Sequence, residues 1–429
     1  MKRTAINKLI QWQISPRRKP LIIEGARQVG KTWLVKEFGK QCYSKVAYVN
    51  FESQKNLRGL FEQDFDVKRI ITTINAATGT TCTKGDTLIF LDEIQAASNG
   101  ITSLKYFCEE APEYHVIAAG SLLGIELHRG ESFPVGKVQF MQLFPMDFGE
   151  FLTALGEDNL VSLIVSGDWA TIGMFEDKLR ELLRYYYFVG GMPEAVLSFS
   201  QYRDWNEVRE IQNAILKSYT RDISKHAPSE IVPRITDVWN SIPAQLSKEN
   251  RKFVYGVIRQ GARAREYEIA LRWLQDAGLI YSVYNVTAPR IPLKSYEDRS
   301  AFKIYALDVG LLGAMSGLKQ HTLINGSDIF TEFKGALTEQ YVFQQMHPYH
   351  ELHYYSKPNS TMEIDFILQD EDDNIVPIEV KAETNVKAKS LRQFASDNAT
   401  QTAYRFSMNP FRKEEWLTNV PLYAAGIWK

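Results

Sequence analysis

The sequence predicts an α/β protein. Its N-terminal third should be a parallel sheet and its C-terminal third a separate mixed α/β block. Three observations predict this. Short apolar runs alternate with stretches of helical spacing through the first 145 residues, the pattern of parallel strands joined by helices. A glycine loop follows the first of those runs and opens a helix. Near the other end, two strands of alternating character flank an acidic turn, so a hairpin is expected there.

Taken in order, residues 1–19 read as a short amphipathic helix and a basic loop that runs through Arg17, Arg18 and Lys19. Strands are expected at 20–24, 46–51, 87–92, 115–120 and 137–143, with helices between them. From 146 to 230 the chain should be mostly helical and lid-like, with a break at Val189-Gly190-Gly191-Met192-Pro193-Glu194. The stretch 231–298 reads as a compact helical unit closed by a strand or hairpin. Its helix through Trp273 and Leu274 stops at Gly278, and Leu279-Ile280-Tyr281 then begins a strand, which is how winged-helix units end. Residues 299–429 return to mixed α/β. Four segments are therefore expected: 1–145, 146–230, 231–298 and 299–429.

The glycine loop carries the first chemistry. Gly25-Ala26-Arg27-Gln28-Val29-Gly30-Lys31-Thr32 reads G-x-x-x-x-G-K-T between the strand Leu21-Ile22-Ile23 and a helix starting near Trp33. Strand, glycine loop and helix in that order are the context of a Walker A phosphate loop. Its N–H groups turn inward toward anionic oxygens, and the helix N-terminus adds its positive end. Lys31 would reach the β- and γ-phosphates, and the Thr32 hydroxyl would ligate Mg²⁺. The second element is the apolar run Thr87-Leu88-Ile89-Phe90-Leu91, which ends in Asp92-Glu93. Asp92 would hold Mg²⁺ directly or through water, and Glu93 would polarise the attacking water as general base. Together the two motifs predict ATP or GTP binding with Mg²⁺.

Composition sets bounds on partners. The net charge of −1 leaves no protein-wide field favouring nucleic acid, so any basic surface must be local. The cysteines, Cys42, Cys82 and Cys108, lack metal-ligand spacing and read as reduced thiols of a cytoplasmic protein. The N-terminus lacks the apolar core of a signal peptide, and no run is long and apolar enough to span a membrane.

The C-terminal hairpin carries the second constellation. Met362–Leu368 and Ile375–Lys381 are its strands, and Asp365, Glu379 and Lys381 form a D…E-x-K set across it. Glu379 and Lys381 are two apart and share a face, and Asp365 can sit opposite. Two carboxylates would bind Mg²⁺, with Lys381 steadying a water or developing charge. A helix near 334–342 would present Glu339 as a third carboxylate, and Lys387, Lys389 and Arg392 would form a basic cluster with phosphate-binding potential. A cross-strand salt bridge would account for Glu379 and Lys381 equally well. His347, His350 and His353 recur every three residues, but Pro348 interrupts them and the run leads into a strand, so shared ligation is not expected. Arg221-Asp222 reads as a helix-surface salt bridge, and Tyr185, Tyr186 and Tyr187 as core and interface rather than base-stacking groups.

Both constellations in one chain, with Ala119-Gly120-Ser121, Leu143-Phe144-Pro145-Met146-Asp147-Phe148, Gly190-Gly191-Met192-Pro193-Glu194 and Lys303-Ile304-Tyr305-Ala306-Leu307-Asp308-Val309-Gly310-Leu311, resemble a prokaryotic family. These are AAA+ (STAND-like) P-loop ATPases with a C-terminal domain of unknown function similar to PD-(D/E)xK nucleases. The resemblance covers nearly the whole chain. It implies that Ser121 takes the sensor-1 place near the γ-phosphate, and that a winged-helix unit lies between the ATPase and the nuclease-like blocks. The chain departs from the family at Gly136-Lys137, where a Gly-Arg pair is usual, so no arginine-finger role is carried over. It departs again at Ala119, where threonine is common. The expected function is an ATP- and Mg²⁺-dependent ATPase coupled to DNA binding or processing through the C-terminal block. The alternative is an ATP-controlled signalling or scaffold switch that self-assembles, whose nuclease-like domain is inactive and only binds nucleic acid or a partner.

Overall fold

A computed structural model describes residues 1–121, 134–247, 252–324, 331–383, 388–398, 400 and 402–427. The chain forms two compact units.

The first unit comprises residues 2–144 together with Asp276–Gly278. It begins with helix α1 (Ala5–Ile14) and strand β1 (Leu21–Glu24), followed by α2 (Lys31–Cys42) and β2 (Lys45–Asn50). Then come α3 (Val67–Thr78), β3 (Thr87–Asp92), α4 (Gly100–Glu110), β4 (His115–Ala119) and β5 (Gln139–Gln142). The five strands are parallel, in the order β2-β3-β4-β1-β5. Every residue of β3 and β4 is buried, as expected for central strands covered on both faces. On one face Ile22, Val49, Ile89, Leu91 and Val116 pack with Ile70 and Ile74 of α3 and Leu104 and Phe107 of α4. The outer strand β5 keeps an exposed Phe140. Local signals fix the connecting helices. Asp66 caps α3 by accepting from the Lys68 N–H, and Gly79 ends it with φ +65°.

The second unit comprises Met1, Pro145–Gln275 and Leu279–Lys429. Helices run from α5 (Phe148–Ala154), α6 (Asp158–Ser166) and α7 (Trp169–Gly173) through α8 (Glu176–Val189) and α9 (Pro193–Tyr202). They continue as α10 (Trp205–His226), α11 (Val232–Leu246), α12 (Tyr255–Ile258) and α13 (Ala264–Asp276). Strand β6 (Ile280–Val286) and β7 (Glu297–Ala306) form a hairpin, followed by α14 (Val309–Met315), α15 (Gln320–Ile324) and α16 (Thr331–Met346). The chain ends with β8 (His353–Ser356), β9 (Glu363–Gln369), β10 (Ile375–Val380), α17 (Lys389–Asp397), β11 (Ala403–Ser407), β12 (Arg412–Lys413) and β13 (Leu417–Pro421). All eight strands share one sheet in the order β12-β13-β11-β10-β9-β8-β6-β7. The hairpin β6–β7 therefore joins the C-terminal strands, because Asn285 and Val286 pair in parallel with Tyr354 and Tyr355. The expected segment edge at 298/299 falls inside strand β7.

A buried polar knot holds the middle of this unit. Asp308 is fully buried and has no cation against it among its hydrogen-bond partners. Its carboxylate accepts from the N–H groups of Gly191 (2.6 Å) and Leu311 (3.0 Å) and from Gln344 Nε2 (3.0 Å). Burial raises its pKa and those donors oppose the rise. The glycines around it are steric necessities. A Cβ on Gly191 would lie 2.0 Å from the Met146 carbonyl oxygen, and one on Gly190 would lie 2.1 Å from Asp308 Oδ1. Tyr186 and Tyr187 are buried beside this knot, as core residues.

Candidate functional site

The loop from β1 to α2 is shaped by positions that only glycine tolerates well. Gly25 has φ +142°, and a Cβ there would sit 2.3 Å from the Leu143 carbonyl oxygen. Gly30 caps α2 with φ 95°, and Gln28 also takes a left-handed φ of 67°. Arg3 ties the loop down by donating to the carbonyls of Val29 at 3.0 Å and Phe144 at 2.7 Å. Lys31 is buried, and its Nζ donates to the carbonyls of Gly25 at 2.6 Å and Ala26 at 2.8 Å. Burial pushes its pKa down to about 8, opposed by the charges of Glu93 and Asp92.

Asp92 faces the start of α2 from the end of β3. Its Oδ2 accepts from Thr32 Oγ1 at 2.9 Å, from the Tyr48 hydroxyl at 2.9 Å and from Asn50 Nδ2 at 3.3 Å. Burial raises the Asp92 pKa, and the bonds from Tyr48, Thr32 and Asn50 act against it. Glu93 takes a left-handed φ of 50°. Its Oε2 accepts from Gln95 Nε2 at 2.6 Å and lies 3.3 Å from Ser121 Oγ and 3.4 Å from the Ser121 N–H. The structure thus gathers Lys31, Thr32, Asp92, Glu93 and Ser121 around one loop. Lys137 stands apart from them in an ion pair with Glu109 at 2.9 Å.

Sequence reasoning missed four participants: Arg3, Tyr48, Asn50 and Gln95. Tyr48 and Asn50 had a readable signal. They are polar residues two apart at the end of an apolar strand, hence on one face, and the parallel register sets Asn50 beside Asp92. Arg3 had none, since its partners lie 26 and 141 residues away.

In the second unit, β9 and β10 pair antiparallel and bring Asp365 beside Glu379 and Lys381. Asp365 Oδ2 accepts from the Val380 N–H at 2.8 Å. Glu379 is buried, and its Oε1 pairs with Lys381 Nζ at 2.9 Å. Its Oε2 is buried with no hydrogen-bond partner among the described residues. Burial raises the Glu379 pKa, Lys381 lowers it, and the charge of Asp365 raises it further. Glu339, on α16, is fully buried. It accepts from the Tyr305 hydroxyl at 2.5 Å and pairs with Lys303 at 3.3 Å, and Lys303 also reaches Glu363 at 2.8 Å. Lys389 opens α17, and the Arg392 guanidinium lies 5.6 Å from the centre of the Trp416 ring. Lys387 lies outside the described residues.

The three histidines go different ways. His347 packs among Tyr281 and Phe343, where burial pushes its pKa down to about 4. Burial also lowers the pKa of His350. His353 hydrogen-bonds Glu297 at 3.0 Å, and with Glu351 this is a group whose potential ligand atoms lie within 4.8 Å of one another. Both carboxylates already hold cations, Glu351 with Lys294 at 2.8 Å and Glu297 with Arg299 at 3.6 Å. Arg221 makes no ion pair among the described residues, so the surface salt bridge expected with Asp222 does not form; Asp222 is turned into the core.

Residues 17–152 match the family described as AAA domain. Residues 180–322 and 334–424 match two families each described as a domain of unknown function, DUF8612 and DUF4143. No curated protein matches the chain in sequence. Solved structures similar to it include the Walker-type ATPase PABY2304 of Pyrococcus abyssi, at 14% identity and a TM-score of 0.45, covering 73% of this chain and 95% of that one. They also include the Orc1 protein of Aeropyrum pernix in complex with DNA, at 12% identity and a TM-score of 0.31, covering 74% and 93%. A third is Cdc6p of Pyrobaculum aerophilum, at 12% identity and a TM-score of 0.24, covering 74% and 91%. The AAA match over the parallel sheet and its glycine loop identifies the N-terminal unit as a P-loop domain of the AAA type. Among the described residues no helix is long and apolar enough to cross a membrane.

Proposed function

We propose that the N-terminal unit binds ATP with Mg²⁺ and hydrolyses it, and that nucleotide state governs nucleic-acid handling by the second unit. One observation carries the ATPase reading: the Thr32 hydroxyl bonds Asp92 Oδ2 at 2.9 Å beside a glycine loop in which Gly25 packs too close to the Leu143 carbonyl to carry a Cβ. An alcohol oxygen next to a carboxylate is a hard-oxygen donor pair that suits Mg²⁺. Thr32 and Asp92 would hold the ion, and when bound it supplies charge neutralisation on the phosphates. Lys31 exchanges the carbonyls of Gly25 and Ala26 for phosphate oxygens. The loop N–H groups orient the phosphates. Glu93 takes the proton of the attacking water, and Ser121 and Gln95 keep its carboxylate in position. Lys31→Ala should abolish nucleotide binding, and Glu93→Gln should keep binding while losing turnover. Undiminished phosphate release by both variants would sink the reading.

For the second unit, α11 to the β6–β7 hairpin supports a winged-helix-like reading of 231–298. From α16 to β11, a helix, three antiparallel strands, a second helix and a parallel strand support a nuclease-like reading of 299–429. Asp365 and Glu379 would hold a divalent cation there, for which the buried Glu379 Oε2 leaves an acceptor available. The alternative, a switch whose nuclease-like domain only binds nucleic acid or a partner, draws support from the Glu379–Lys381 ion pair, which occupies the lysine that cleavage would need. DNA or RNA cut by wild type with Mg²⁺ and ATP, but not by Asp365→Ala, favours processing. Intact substrates with both proteins favour the switch.

A further inference from the structure

The cavity between α10 and α11 lies in neither constellation. It measures about 750 Å³. Its floor is apolar, formed by Trp239, Pro243 and Met315, and one wall is the row Lys217, Arg221 and Lys225 on α10. These three are spaced by four residues, so they stand on one helix face about 6 Å apart along the axis. That step matches the separation of successive phosphates in an extended strand. Lys217 and Arg221 are exposed, and neither has an ion pair or side-chain hydrogen bond among the described residues. The nearest acid on their helix, Asp222, is turned into the core. Pro243 lies inside α11 and has no N–H to give the Trp239 carbonyl.

We infer that this groove binds the backbone of a single-stranded nucleic acid, its phosphates on the α10 cations and its sugars and bases toward the Trp239–Met315 floor. The inference rests on the proposed nucleic-acid role and assigns it a place remote from Asp365 and Glu379 in sequence. Charge complementarity selects a polyanion. The apolar floor between two helices suits a flexible strand, whose bases can turn inward, better than a duplex, whose bases are stacked away.

The test is binding of the full chain to a fluorescent 20-nucleotide oligothymidylate, read by anisotropy across 0.05–0.4 M salt. The Lys217→Gln/Arg221→Gln protein removes two phosphate contacts, so the slope of log K against log salt should shrink by about 1.4, and affinity at 0.1 M salt should fall about 25-fold. Asn240→Trp keeps every cation and fills the groove, and should weaken binding with the slope of the remaining contacts. An unchanged urea denaturation midpoint of both variants serves as the folding control. Equal affinity and slope in wild type and the double variant overturn the groove, even if wild type binds. Tighter binding of duplex than of single strand, or equal competition by polyglutamate, overturns the single-strand assignment. If wild type binds no nucleic acid with or without ATP, the broader functional reading fails and the groove assignment falls with it.

Discussion

Nucleotide affinity should fall as pH rises through about 8, because Lys31 must be charged to bind phosphate and is only marginally so in the free protein. Burial pushes its pKa down to about 8 even though its Nζ donates to two carbonyls. Phosphate oxygens would raise that pKa in the complex, since an added anion favours the ammonium. A pKa that is higher in the complex than in the free protein gives affinity that is complete below the free value and lost as pH rises above it. At pH 7 about nine-tenths of Lys31 is charged, and at pH 9 about one-tenth, so Kd should rise about tenfold between them, or about 1.4 kcal/mol. The terminal phosphate, with a second pKa of about 6, is already ionised across this window and adds no opposing slope. Nor does Tyr48, the donor to Asp92, titrate there: burial pushes it up to about 12. The assay is calorimetric titration of ATP with Mg²⁺ at pH 7, 8 and 9 in paired buffers of different ionisation enthalpy. At pH 9 the complex should take up about 0.9 proton. Lys31→Arg, weaker overall, should show no such slope, because its guanidinium stays charged. A wild-type Kd constant within twofold from pH 7 to 9, or the same slope in Lys31→Arg, would refute the reasoning.

Three further outcomes are expected. Tyr48→Phe removes one of the donors to Asp92 and should cost about 1 kcal/mol, read as a roughly fivefold higher Mg²⁺ requirement for turnover; an unchanged requirement would separate Tyr48 from the metal site. Gly191→Ala drives a Cβ to 2.0 Å from the Met146 carbonyl and should destabilise the second unit by at least about 2 kcal/mol, so an unmoved urea midpoint would contradict the packing. Asp308→Asn turns an amide toward donors that need an acceptor and should cost about 2–4 kcal/mol in urea denaturation, with ATP affinity left unchanged.

Legibility in the sequence followed the range of the interactions. The phosphate loop, the strand ending in Asp92-Glu93 and the parallel sheet were readable, because period, glycine placement and strand ends are local properties. Ser121 was readable only through resemblance, since its link to Glu93 spans 28 residues. The β9–β10 hairpin was readable from alternation around an acidic turn. Glu339 was placed on the right kind of element, but its burial against Lys303 and Tyr305 depends on packing between α16 and β7, which no local pattern encodes. The joining of β6–β7 to the C-terminal strands was hidden for the same reason. It depends on two residue pairs between Asn285–Val286 and Tyr354–Tyr355, in a sheet assembled across nearly seventy residues.

Asp92 and Asp308 show why a motif's residue types alone do not say whether it does chemistry. Both are buried aspartates, both have raised pKa values, and both lie near left-handed backbone. They differ in their donors. Asp308 is bound chiefly by main-chain N–H groups that the fold cannot move, and the glycines beside it exist because any Cβ would collide with it or with its neighbours. Such a carboxylate is saturated and has nothing to offer a ligand. Asp92 is bound only by side chains, the hydroxyls of Thr32 and Tyr48 and the amide of Asn50, and the Thr32 hydroxyl can rotate so that its oxygen joins Asp92 on one cation. By the same criterion Glu379, held by a side-chain lysine and with a buried oxygen unsatisfied among the described residues, suits the cation role proposed for it better than Asp308 would. Exchangeable donors mark a site, and fixed donors mark a scaffold.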